Sequence, residues 1–208
     1  MIDAPLTRAE RQGNERNAIM HAAYGLVGHT SGEPVSVQQI LDAAGLSTRA
    51  FYRHFPSKDE LILTMYRTAE SRVALELAEV VAAAPGPVEA LHAWIERQLA
   101  VVYEPRRSRQ TSVLTSAEAR SAVGFDEANH QGARVRRVVL ADIIRNGQRA
   151  GLFPLAVDPD EDARAVASVV SGIIQAHING EECPPWPEAT AHTTQLFLRS
   201  FGATTRPI

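Results

Sequence analysis

Apolar residues recur along this chain at spacings of three and four, and strand-like alternation bounded by turn signals is essentially missing, which predicts helix nearly throughout. A first helix is expected over about residues 7–28. "TRAE" has the form of a capping box, with Thr7 as N-cap and Glu10 reaching back, and Ile19, Ala22, Ala23, Leu26 and Val27 form the apolar stripe. Gly28 and "HTSGEP" end it. A second capping box, Ser36 with Gln39, opens a short helix whose face is Val37, Ile40, Leu41 and Ala44, and Gly45 is its left-handed stop. Ser47 caps another short helix through about His54, which Pro56 breaks. Ser57 and Glu60 form a third capping box. The long helix they start carries Ile62, Tyr66, Ala69, Val73, Leu77 and Val80 towards "AAAPGP".

The remaining pattern predicts a larger helical region. Residues 87–103 carry Leu91, Trp94, Ile95, Leu99 and Val102; after the arginine-rich corner "EPRRSRQ" a helix is expected around 111–120. A helix over about 127–150 presents Val135, Val138, Val139 and Ile143 and stops at Gly151. Asp158 as N-cap, Pro159 in the first turn and Glu161 start the next, and a last helix over about 187–201 bears Thr194, Phe197, Leu198 and Phe201. The helix over 160–179 is apolar on two faces: Ala163, Val166, Ala167, Val170 and Ile174 line one, and Ala165, Val169, Gly172 and Ala176 the other. Such a helix is buried on most sides. In a chain of 208 residues the second face is expected to meet a second copy, and the competing reading is the central helix of a monomeric core.

The two short helices joined by "AAGLS" match a helix-turn-helix. Charge distribution gives that hairpin a function. Residues 45–58 contain no Asp or Glu, yet they hold Arg49, Arg53, His54 and Lys58, with Thr48, Tyr52 and Ser57 as hydroxyl donors. Arg and Thr at the start of a second helix suit base edges in a major groove, while Tyr, His and Lys suit phosphate oxygens. Lys58 is the only lysine in the chain. It falls in the first turn of the long helix, where free N–H groups and the positive dipole end favour an anion. The bland alternative is a solvated basic face beside a packed aromatic.

Composition narrows the classes. The net charge is −3, so any nucleic-acid surface is local and not a basic coat. One cysteine, Cys183, rules out an internal disulfide and fits a reducing cytoplasm. Residues 1–17 are polar, so no secretory signal is expected, and no apolar run reaches the ~18–20 residues that span a bilayer. A soluble cytoplasmic protein with no membrane partner is therefore expected. The seven histidines are scattered, with no HExxH, nucleophile elbow or Gly-rich phosphate loop, which argues against an enzyme. "HINGEEC" brings His177, Glu181, Glu182 and Cys183 together in sequence but fits no common zinc spacing, and no metal or cofactor is expected. A helical protein-binding adaptor without DNA binding is the remaining alternative, and the acid-free stretch argues against it.

The segment "NAIMHAAYGLVGHTSGEPVSVQQILDAAGLSTRAFYRHFPSKDELI" resembles the N-terminal domain of TetR-type (TetR/AcrR family) transcriptional regulators, over about residues 11–71. Ala-Ala in the first helix, Gly after the second, "YRHF" and then K-x-E-L carry the resemblance. "IIRNGQRAGLFPLAVDPDEDA" looks, more loosely, like the approach to that family's dimerising helices. The resemblance implies an all-α homodimer, with a helix-turn-helix DNA-binding domain over 7–56 and a larger helical ligand-binding and dimerisation domain over 57–208. Thr48, Arg49, Ala50 and Tyr52 fall where recognition-helix residues meet DNA. His54 and Lys58 fall at phosphate-contacting positions, Ser36 at the N-terminus of the supporting helix, and Phe51 and Phe55 at packing positions. Val27 departs from the bulkier apolar residue usual there, and the longer "GHTSGEP" follows it.

The resemblance further implies a transcription regulator of double-stranded operator DNA, by family tendency a repressor released by a small-molecule effector, with an activator as the alternative. Ligand binding in the C-terminal region would change the separation of two DNA-reading heads, with the long helix from residue 57 as the lever. Trp94, Tyr103, Phe125, His130, Phe153 and His177 are the candidate pocket residues. For Trp94 and the phenylalanines a core position is the stronger reading, and for His177 a hydrogen-bonded interface position.

Overall fold

The computed structural model describes residues 7–27, 34–104 and 112–203. Among these the regular elements are helices α1 (Arg8–Leu26), α2 (Val37–Ala44), α3 (Thr48–His54), α4 (Lys58–Ala82), α5 (Pro87–Tyr103), α6 (Ala117–Ser121), α7 (Phe125–Arg149), α8 (Pro159–Ile178) and α9 (Trp186–Ser200), with a 3-10 turn at Ser112–Thr115. The expected stop at Gly28, residues 29–33 of the "HTSGEP" connection, the arginines of "EPRRSRQ" and Thr111 lie outside the described residues.

Local chemistry sets the boundaries. The Thr7 and Ser36 capping boxes are both complete. Gly45 ends α2 at φ 65°, a conformation that costs a residue with a Cβ about 1 kcal/mol or more. Ser47 caps α3 by accepting from Ala50 N–H, and Asp158 caps α8 by accepting from two backbone N–H groups. The third capping box forms by half: Ser57 Oγ accepts from Glu60 N–H at 3.1 Å, while the Glu60 carboxylate lies 3.3 Å from Arg67.

Two compact units result: Met1–Ala69 with Arg106–Ala128, and Glu70–Pro105 with Asn129–Ile208. The sequence expectation divided the chain at 56/57 by function. Packing divides it differently, because residues from 113 to 128 join the core of the first unit. That core holds Ile19, Ala23, Val27, Ile40, Leu41, Phe51, Phe55, Leu61, Ile62 and Met65, together with Val113, Ala119, Ala122 and Ala128. Polar contacts fix the same segment: Val123 N–H donates to Asp59 Oδ2 (3.3 Å) and Val35 N–H to Glu118 Oε1 (3.4 Å). Tyr24 hydroxyl donates to Met65 C=O (3.2 Å), joining α1 to the start of α4.

The second unit packs α5 against α8 and α9. Its core contains Leu77, Leu91, Trp94, Ile95, Leu99, Leu140, Ile143, Ile144, Phe153, Val166, Val170, Phe197, Leu198 and Phe201. Gly147 is a requirement of this core, since a Cβ there would overlap the Phe153 ring.

Three expectations are corrected. The stretch expected as one helix around 111–120 is a 3-10 turn followed by α6, because Ser116 Oγ caps a new helix by accepting from Ala119 N–H. The α4 stripe ends towards Val81 and not Val80, which is exposed. Val135 and Val138 of α7 are exposed too; the buried face is that of Leu140, Ile143 and Ile144, on which Arg136 also lies at 100° per residue. Arg136 sits there because its guanidinium pairs with Glu70 of α4. A pattern read from one helix counts an arginine as solvent-facing, so of the four expected stripe residues Val139 and Ile143 lie on the buried side and Val135 and Val138 do not.

Candidate nucleic-acid interface

Helix α3 has two sides. At 100° per residue Thr48, Arg49, Tyr52 and Arg53 span one arc, and Ala50, Phe51 and His54 the other. The first four are exposed, Tyr52 by 57%, and the second group is turned inward. Phe51 and Phe55 are fully buried, with ring centroids 5.9 Å apart, and hold α3 on the first unit's core as the sequence led one to expect. The Tyr52 ring meets Phe51 edge-on at 5.3 Å, and Tyr52 as a whole stays exposed.

Lys58 begins α4 and is half-buried. Among the described residues no acid is paired with it, although Asp59 and Glu60 follow directly. Asp59 is engaged by Val123 N–H and Glu60 by Arg67, so both neighbouring acids have partners elsewhere. The ammonium therefore stands at the N-terminus of α4, the helix that follows the one carrying Thr48, Arg49 and Tyr52, and this position is suited to an anion. Ser36 is exposed but already committed to the α2 capping box.

Two expected contacts change character. Ala50 is 5% exposed, so its methyl group packs inward and offers nothing to a groove. The His54 side chain is 8% exposed, and its Nε2 lies 2.9 Å from Glu15 Oε2 of α1. Arg53 pairs with the same oxygen. The hydrogen bond with His54 first, and then that with Arg53, holds the Glu15 carboxyl below its ordinary value. The folded value being the lower one, this stabilisation is present above the ordinary carboxylate range and is lost as pH falls through the depressed value. Sequence reading gave Glu15 no role, since its two partners lie 38 and 39 positions away.

The six candidate pocket residues have different surroundings. Trp94 is a core residue whose Nε1–H donates to Arg136 C=O at 3.2 Å. Phe153 packs edge-on against Phe201 at 5.5 Å. Phe125 belongs to the other unit, against Tyr66 at 5.1 Å, and His130 is exposed. Tyr103 and His177 meet, with ring centroids 4.5 Å apart, and the Tyr103 hydroxyl donates to Pro184 C=O at 2.8 Å. Among the described residues no group of three His, Cys, Asp or Glu side chains is placed to hold a metal, and no helix is long and apolar enough to cross a membrane.

Residues 19–65 match the family model described as bacterial regulatory proteins, tetR family. No curated protein sequence matches the chain. Solved structures do. The fatty acid degradation regulator FadR from Bacillus halodurans is 14% identical, with a TM-score of 0.73 over 98% of this chain and 100% of that one. FadR from Bacillus subtilis in complex with stearoyl-CoA is 15% identical, with a TM-score of 0.68 over 88% of this chain and 97% of that one. A transcriptional regulator from Rhodococcus sp. Rha1 is 21% identical, with a TM-score of 0.68 over 92% and 99%. At these identities the structural likenesses establish the fold.

Proposed function

We propose that this chain, which belongs to the tetR family of bacterial regulatory proteins by its residues 19–65, is a ligand-responsive repressor that binds operator DNA as a homodimer. That it is a DNA-binding transcriptional regulator and not an enzyme follows from the family. The finer reading rests on the surface of α3 and the start of α4. The carrying observation is that Thr48, Arg49 and Tyr52 share one exposed arc of α3 while Lys58, with no acid paired to it among the described residues, opens the next helix. Thr48, Arg49 and Tyr52 read base edges, and Lys58 anchors a phosphate. The supporting test is a mobility-shift titration with fragments flanking the chain's own coding region. A salt-sensitive shift is expected, and its absence with every fragment at low salt would remove the DNA-binding assignment.

Lys58→Ala is expected to weaken binding to all duplexes alike and to reduce the salt slope by about one, whereas replacing Thr48 or Arg49 should change preference among sequences. A Lys58→Ala protein with unchanged salt slope and altered preference would reverse these roles.

The dimer is supported by α8. Ala163, Val166 and Val170 are buried in the second unit, while Ala165, Val169 and Gly172 on the other side are exposed and small enough for close helix approach. Two copies joined there would present recognition helices to successive major grooves about 34–36 Å apart. Val169→Glu is expected to weaken self-association by about 10- to 100-fold through an unpaired charge at the seam, read by light scattering against concentration. Ligand response is supported by the likeness to FadR, one of whose structures holds stearoyl-CoA, and by α4, a continuous helix that contributes to both packing units. An effector favouring another spacing of the heads would release DNA by population shift.

A further inference from the structure

The acid-free stretch 45–58 supplies four cationic or potentially cationic side chains, and the fold does not leave them equivalent. Arg49 and Lys58 have no acid paired with them among the described residues. Arg53 and His54 converge on one carboxylate, Glu15 of α1. A second contact between the same two segments lies one residue along: the Arg16 guanidinium stands 5.2 Å from the centre of the Phe55 ring. Consecutive residues of α1 thus grip the C-terminal end of the recognition helix by an ion pair and a cation–π contact. The carboxylate has a geometric and an electrostatic consequence. It fixes the end of α3 to α1, and it places a negative charge against the Arg53 guanidinium.

We propose that Glu15 is a positioning residue for DNA recognition, which pins α3 through Arg53 and His54 and withholds the Arg53 guanidinium from phosphate. This rests on the DNA-binding assignment above and assigns work within it. Anchoring is left to Lys58 and discrimination to Thr48, Arg49 and Tyr52. A charge that any phosphate can attract raises affinity for all DNA by the same factor, so withholding Arg53 lowers sequence-independent affinity and its salt dependence while the ratio between sequences is left to Thr48, Arg49 and Tyr52.

The test uses the full-length protein and an arbitrary duplex of about 30 base pairs that contains no flanking sequence, titrated between about 50 and about 200 mM salt. The Glu15→Gln variant is expected to bind it about tenfold more tightly at the lower salt, with a slope of log K against log salt steeper by about 0.9. Arg53→Gln alone is expected to leave the slope unchanged, because Arg53 is already engaged. Arg53→Gln in the Glu15→Gln background should return the slope to that of the wild type. The Arg53→Gln arm alters only an exposed side chain and does not depend on Glu15→Gln being well folded. If it flattens the wild-type slope by about one, Arg53 already holds a phosphate and the proposal is overturned. An unchanged slope in Glu15→Gln overturns it equally, since a merely structural role would lower affinity without adding a counterion. Failure of the wild type to bind any duplex in a salt-dependent way is a separate result, and would remove the DNA-binding assignment itself.

Discussion

Phe51→Ala is expected to cost the first unit about 3–5 kcal/mol and to abolish DNA binding at ordinary temperature. The ring is fully buried, touches Phe55 and Tyr52, and belongs to the cluster formed by α1, α2 and the start of α4. Helix α3 has only seven residues, too few to persist in water by propensity, so packing of this face keeps it helical. A loss of that size is a large share of a domain's typical 5–15 kcal/mol. Urea titration followed by circular dichroism should show the first transition moved to much lower denaturant, with no mobility shift surviving. Phe51→Leu keeps most of the volume and should retain a measurable shift. A Phe51→Ala protein that unfolds with the wild type would mean that other contacts hold α3.

Breaking the Glu70–Arg136 pair should have the second large effect. Both side chains are mostly buried, at 14% and 18% exposure, between α4 and α7. Gly132, one turn before Arg136, leaves the space that the Glu70 carboxylate fills. Arg136→Leu leaves a buried carboxylate without its partner, at an expected cost of about 3–5 kcal/mol, whereas Glu70→Leu with Arg136→Leu should recover most of the loss. Burial pushes the Glu70 carboxyl above its ordinary value, against the opposing pull of Arg136. The folded protein therefore takes up a proton more readily than the unfolded chain, and this group's contribution falls as pH rises from the ordinary carboxylate value through the raised one. Arg136→Leu should consequently be most impaired at neutral pH and partly rescued in acid. Thermal melting at about pH 5 and about pH 8 reads this directly, and equal losses at both would assign the cost to packing alone.

These two sites differ in how far a linear chain discloses them. The resemblance to TetR-type regulators places Phe51 and Phe55 at packing positions, and their four-residue spacing on one helix agrees with that. The residues alone disclose the capping boxes at Thr7 and Ser36, the left-handed Gly45 and the Asp158–Pro159 start of α8, where donor and acceptor lie within four residues. Local chemistry thus determined the helix inventory, the helix-turn-helix and the concentration of cations at residues 45–58.

Tertiary structure alone decided which of those cations have partners and which helix faces are buried. Glu15 captures Arg53 and His54, and Glu70 captures Arg136, from 38, 39 and 66 positions away, so no periodicity within one helix reports either pair. Val135 and Val138 face outward, on the side of α7 away from Leu140, Ile143 and Ile144. Likewise the residues around 113–128 read from sequence as part of the larger region, yet Val113, Ala119 and Ala122 are buried in the first unit. Helical pattern is fixed by interactions over one or two turns; the partner of a buried charge and the owner of a short amphipathic segment are fixed by chain closure over tens of residues.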